Sequence, residues 1–201
     1  MALRPTLLKF GIPDEPFLDL IDAFRLDQAK DRWQTYDELL GYCAKSACPV
    51  GRLVLYLFDC HNPENVRLSD RICAGLQLAN FWQDVGRDYH KLNRVYLPRE
   101  ELDRFGVGPQ TIADERTTPA FAELLRFQVG RTRDLMESGR GLLARLPRAA
   151  RVDVGLFLGG GLAVLRAIEA IDYRVLETRP TVSKGDKIRL LSRAIVSQCL
   201  S

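Results

Sequence analysis

Apolar positions along the chain recur mostly at helical spacing. Phe17, Leu20, Ile21 and Phe24 fall at i, i+3, i+4 and i+7 behind Pro16, the stripe of a first amphipathic helix. A second helix is expected from about Asp37 to Cys48, with Pro49 breaking or kinking the chain before Leu53 to Phe58. His61-Asn62-Pro63-Glu64-Asn65 reads as a loop, and a third, long helix should follow from Leu68 to about Tyr89. Thr118 as N-cap and Pro119 in the first turn open another helix, which carries Phe121, Leu125, Val129, Leu135, Met136, Leu142, Leu143 and Leu146 up to Pro147. Val152–Glu177 and Lys184–Ser197 supply two more. Only Arg94-Val95-Tyr96-Leu97 has strand character, so the predicted fold class is all-α.

The longest apolar run, Val154 to Leu165, contains Gly155 and the triplet Gly159, Gly160 and Gly161. It is too short to span a bilayer. It does not continue into Gly-Lys-Ser/Thr, so it is no phosphate-binding loop, and the glycines predict close packing of a buried, central helix.

Composition narrows the class. The chain has 201 residues, 46% apolar and 27% charged, with a net charge of +3, which is enough apolar material for one folded domain over residues 1–201 with a sizeable core. Arg126, Arg131, Arg133, Arg140, Arg145, Arg148 and Arg151 stand against only Asp134 and Glu137, either a solvated helix face or a surface for an anionic partner. Without aromatic interleaving or a nucleic-acid motif, no DNA or RNA binding is expected. Five cysteines without a C-x-x-C pair, and no signal-peptide core at the N-terminus, predict reduced thiols in a cytoplasm. The two histidines, His61 and His90, have no zinc-ligand spacing and are expected at the surface or in turns.

Candidate chemistry lies on the third helix. At about 100° per residue, Gln77, Asn80, Asp84 and Asp88 share one arc of about 80°, while Leu68, Ile72, Gly75, Ala79, Trp82 and Tyr89 cluster opposite. Two carboxylates one turn apart, preceded by amide oxygens, suit Mg²⁺, a hard cation that keeps waters and substrate phosphates in its shell. Arg87 and Lys91, at the edge of the stripe, are placed to meet phosphate oxygens. By spacing alone the same stripe is an ordinary solvated face, Arg87 and Lys91 are helix-surface charges, and Tyr42 is a core tyrosine with a satisfied hydroxyl.

Three segments read together resemble the squalene and phytoene synthase family, which joins prenyl chains head to head. Leu76-Gln77-Leu78-Ala79-Asn80-Phe81-Trp82-Gln83-Asp84-Val85-Gly86-Arg87-Asp88, followed by Arg94-Val95-Tyr96-Leu97-Pro98, is similar to that family's second aspartate-rich motif and its trailing segment. Tyr42-Cys43-Ala44-Lys45-Ser46-Ala47-Cys48-Pro49-Val50-Gly51 resembles the upstream helix lining the pocket, and Phe81-Trp82-Gln83 most resembles the bacterial hopanoid branch that makes hydroxysqualene. The resemblance implies an isoprenoid synthase-type helical bundle around a deep apolar cavity, N-terminally incomplete. Asp84, Asp88 and Asn80 would bind Mg²⁺, and Gln77 would support the diphosphate together with Asn80. Tyr42 and Tyr96 would face substrate, with Tyr36 a further candidate.

The family brings two aspartate-rich motifs together across the cavity, and the first has no counterpart here. Asp27 and Asp31 have the spacing, but they fall in Phe17–Trp33, which aligns after that motif, and are left out of the site. The resemblance therefore implies a chain lacking the family's first helices, with weak activity or none by itself. The implied substrate is a prenyl diphosphate, the implied reaction conversion of presqualene diphosphate to hydroxysqualene or the related farnesyl diphosphate condensation, and the implied location the cytoplasm, with peripheral contact at the inner membrane face. Alternatives are phytoene synthesis, a non-catalytic helical scaffold, or an anion-binding module acting through Arg126–Arg151.

Overall fold

The computed structural model describes residues 3–183 and 185, so most of the helix expected at Lys184–Ser197 lies outside the described residues, as does Cys199. Ten α-helices are described: α1 Leu3–Phe10, α2 Glu15–Ala29, α3 Tyr36–Ser46, α4 Cys48–Leu57, α5 Pro63–Gln83, α6 Val85–Leu92, α7 Arg99–Arg104, α8 Pro109–Ala113, α9 Pro119–Ser138 and α10 Arg148–Ala170. A 3₁₀ turn, Arg140–Arg145, joins the last two. Helix α5 runs through the middle and packs on α4, α9, α10 and the 3₁₀ turn.

Local chemistry accounts for the starts of the helices. The Thr118 hydroxyl accepts from the Phe121 amide at 3.2 Å, the cap expected from sequence. Thr35 caps α3 through the Glu38 amide at 3.1 Å. Asn62 caps α5 through the Asn65 amide at 3.0 Å, so the stretch read as a loop is the start of the long helix. Pro49 lies in the first turn of α4, where a missing N–H costs nothing, so it opens a helix instead of only breaking one.

Further expectations are corrected, among them the helix expected over Val152–Glu177, which begins at Arg148 and ends at Ala170. The helix expected to continue to Pro147 stops at Gly139, where an added Cβ would lie 2.7 Å from the Leu68 carbonyl oxygen; α9 closes onto α5 there, and only a glycine fits. The helix expected over Leu68–Tyr89 is divided at Asp84, which ends α5 and begins α6. Arg94–Leu97 forms no strand: Val95 makes one isolated parallel bridge with Arg32, and among the described residues no further strand extends it. The glycine-rich helix α10 is not the central one. It buries Leu158, Leu162, Leu165 and Ile168 and leaves Phe157 exposed. Of its glycines, Gly161 makes the close approach: a Cβ there would lie 2.4 Å from the Met136 methyl, and Met136 is wedged equally tightly against Gly75 of α5.

The apolar side of α5 packs as the wheel predicts, with Leu68, Ile72, Gly75, Ala79 and Trp82 buried. The Trp82 indole donates to the Thr132 hydroxyl at 2.8 Å in the interior, satisfying both groups. The arginines between Arg126 and Arg151 do not form one free face. Arg131 pairs with Glu101 at 2.7 Å, Arg133 with Glu169 at 2.8 Å, Arg140 chelates Glu137, Arg145 donates to Asn65, and Arg126 stacks over Tyr173. His61 stacks on Tyr56, and exposed His90 meets Glu115 at 2.8 Å.

Candidate functional site

The junction of α5 and α6 organises the site. Asp84 has φ −108° and ψ 15°, outside the helical range, yet its amide reaches the Asn80 carbonyl at 3.0 Å and its carbonyl receives the Asp88 amide at 2.8 Å. The kink keeps the ladder of backbone bonds, so Asn80, Asp84 and Asp88 remain one turn apart. Asn80 is exposed, and Gln77, Asp84 and Asp88 are half-buried.

The acidic pair sits among cations. The Arg179 guanidinium chelates Asp84, with Nε 2.5 Å from Oδ1 and Nη2 3.0 Å from Oδ2, and Arg87 lies 3.9 Å away. The segment carrying Arg179 is held to the kink by the Gln83 amide, which donates to the Pro180 carbonyl at 2.7 Å, and it packs on Gly86. Burial pushes the Asp88 carboxyl up to about 6, with the Asp84 charge adding to the rise and Arg87, Arg94 and Arg179 opposing it. Lys91 is exposed; with Arg87, His90 and Arg179 it lines a shallow depression of about 180 Å³.

Two half-buried carboxylates that feel each other's charge, with an amide oxygen one turn before them, are a donor set that fits a hard divalent cation completing its shell with water and phosphate. Arg179 supplies the positive charge on Asp84. Among the described residues no cluster of three or more His, Cys, Asp or Glu side chains forms a closed metal cage.

Beside the kink stands a slab of aromatic rings. Phe81 and Tyr96 stack with centroids 3.6 Å apart and planes 8° apart, Tyr42 lies 6.2 Å and 6.1 Å from them, and Trp33 tilts against Tyr42 at 4.8 Å. Tyr42 and Tyr96 are thus brought together, both buried, and burial raises both phenols above their usual range. The Tyr42 hydroxyl donates to Asp27 Oδ1 at 2.7 Å. Tyr36 belongs to another cluster. Its ring lies 3.2 Å beneath the Arg131 guanidinium, its amide donates to Glu100, and burial pushes its phenol up to about 12.

An apolar groove of about 380 Å³ runs along α4, α5 and α10, lined by Val50, Val54, Phe58, Leu76 and Phe157, with Gln77 and Asn80 also in its wall. Asp84 and Asp88 continue the same stripe beyond the groove lining. Sequence reasoning missed three residues of this neighbourhood. Asp27 shows the right spacing but has no evident partner in sequence, Arg94 sits inside a recognised segment without a role, and Arg179 lies 95 positions from Asp84 with no local signal at all.

Comparison with known proteins gives a consistent outcome. The chain is 36% identical over 197 residues to a hydroxysqualene synthase of Rhodopseudomonas palustris, covering 97% of this chain and 64% of that protein. It is 32% identical over 194 residues to a chloroplastic phytoene synthase of Daucus carota, covering 93% of this chain and 48% of the relative. The crystal structure of squalene synthase HpnC from Alicyclobacillus acidocaldarius superposes with a TM-score of 0.83 at 41% identity, over 86% of this chain and 65% of that one. The chain therefore spans between about half and two thirds of the length of these proteins. Its fold is the all-α isoprenoid synthase type. The family model described as Squalene/phytoene synthase matches residues 1–186, and the chain belongs to that family.

Proposed function

We propose that this chain carries the Asp84–Asp88 half of a Mg²⁺-dependent prenyl diphosphate site, and that the reaction it serves is conversion of presqualene diphosphate to hydroxysqualene. The observation that carries the reading is the half-buried acidic pair at the α5–α6 kink, ringed by Arg87, Arg94 and Arg179 and continued by Asn80 and Gln77 into an apolar groove. Asp88, half-buried beside a second carboxylate, carries a desolvation cost that a purely structural helix has no reason to keep. Likeness to a hydroxysqualene synthase favours the hopanoid branch over phytoene synthesis.

In this reading Asp84, Asp88 and Asn80 hold Mg²⁺, which when bound supplies Lewis-acid stabilisation of the departing diphosphate. Arg87 and Lys91, with Arg179 turned from Asp84, offer donors to its oxygens. Gln77 orients the diphosphate end of the substrate, and Val54, Phe58 and Leu76 take up the hydrocarbon and keep water away from it. Tyr42 and Tyr96, buried in the slab they share with Phe81 and outside the groove lining, would face the carbon left positive. Tyr36, held under Arg131, would act on substrate only through the packing of α3. The domain would sit in the cytoplasm with peripheral contact to the membrane that stores the product; among the described residues no helix is long and apolar enough to cross a membrane.

The test incubates the full-length protein with Mg²⁺ and presqualene diphosphate and identifies products by mass. Hydroxysqualene supports the reading. Phytoene from geranylgeranyl diphosphate moves it to the sister branch, and turnover unaffected by Asp84→Asn and Asp88→Asn removes the metal site.

A further inference from the structure

Tyr42 and Asp27 come from different helices and meet by a single short hydrogen bond. Asp27 lies on α2 and Tyr42 on α3, and the phenol donates to Oδ1 at 2.7 Å. The other carboxylate oxygen faces Arg94 Nη1 at 3.9 Å, and Arg94 also donates through Nη2 to the Asp27 backbone carbonyl. The Tyr96 side chain interacts with both Tyr42 and Arg94. An ionised carboxylate can only accept, so the direction of the bond is fixed: the tyrosine proton points at Asp27. A phenol has one proton, and once it is committed the oxygen has only lone pairs for any other neighbour. The stacked rings of Phe81 and Tyr96 on one side and Trp33 on the other hold the Tyr42 ring in that setting. Phe81 follows Asn80 directly on α5, so the slab is tied to the helix that carries the acidic stripe.

We propose that Asp27 is a positioning residue that fixes Tyr42 as a hydrogen-bond acceptor toward the reacting groups. Tyr42 then steadies a positive carbon, or holds one proton of an incoming water, without giving up or receiving a proton. This rests on the prenyl diphosphate reading above and assigns a role to a residue whose sequence context gave it none. Replacing the carboxylate by an amide lets the Asn NH₂ donate toward the phenol, so the hydroxyl loses its fixed direction while its position changes little.

The full chain, labelled with ¹³Cζ-tyrosine, gives one resonance for Tyr42, identified by its loss in Tyr42→Phe. Asp27→Asn is expected to move that resonance, while Asp31→Asn, a solvent-facing carboxylate with 58% side-chain exposure, leaves it in place. With Mg²⁺ and presqualene diphosphate, Asp27→Asn should lower kcat about tenfold at unchanged KM, and Asp31→Asn should preserve both. Asp27→Glu keeps charge and acceptor, and should restore the resonance and part of the rate even if the amide variant fails to fold. An unmoved resonance, or an unchanged kcat in an active protein, overturns the role of Asp27 and leaves the proposed reaction standing. A full-length wild-type protein that turns over no prenyl diphosphate overturns the reaction, and this positioning role with it.

Discussion

Asp84 shows how one residue serves two demands. It ends one helix, begins the next and is chelated by Arg179, so its carboxylate already has a cation before any metal arrives. Asp84→Asn and Asp88→Asn should each lower turnover by roughly a hundredfold, since a metal-held leaving group loses a charged ligand. Their stabilities should differ. Asp88 is a half-buried charge beside another carboxylate, so Asp88→Asn should melt no lower than the wild type without metal, whereas Asp84→Asn loses its bond to Arg179 and should melt lower. Calorimetry of the metal-free variants reads both. In the core, Thr132→Val leaves the Trp82 indole without an acceptor and should cost about 1–3 kcal/mol, measured by urea unfolding.

Helices were the most legible elements because their signals are local. The helix behind Pro16, the Thr118 cap and the apolar side of α5 each depend on residues within two or three turns, although Ile21 and Phe24 of that first stripe stand exposed and Ala23 is buried instead. The ends were less legible, because they depend on what approaches from elsewhere. Gly139 stops α9 because the Leu68 backbone passes beneath it, and α6 departs from α5 where residues 175–180 pack on Gly86 and bind Gln83. Arg94–Leu97 carries strand-type residues but finds only Arg32 to pair with among the described residues. The same contacts yield a contrast. Gly139→Ala meets a backbone oxygen that cannot move alone and should cost about 1–3 kcal/mol by urea unfolding. Gly161→Ala meets the ends of the Met136 and Leu76 side chains, which can turn away, and should cost less.

At the scale of the molecule, α5 connects everything that matters: one side builds the core with α9 and α10, and the other carries Gln77 and Asn80 into the groove and leads to Asp84. A site of this design should bind metal and diphosphate jointly. Mg²⁺ with pyrophosphate at a hundredfold excess over Kd should stabilise the chain by about 2.7 kcal/mol, a rise in Tm on the order of 5–10 °C for this size. Mg²⁺ alone should do much less, and Asp84→Asn should abolish the joint effect. A helical scaffold without the site would show no shift in either case.

The amino-acid sequence by itself determined the all-α class, the Thr118 cap, the apolar side of α5, and the family resemblance in Gln77–Asp88, because each is written in residues a few positions apart. Tertiary structure alone decided that Asp84 would be a helix junction held by Arg179, that Asp27 would accept the Tyr42 hydrogen bond, and that Tyr36 would lie beneath Arg131 instead of joining the aromatic slab. Those contacts join residues far apart in the chain, and their geometry exists only once α2, α3, α5 and the segment after α10 have packed together.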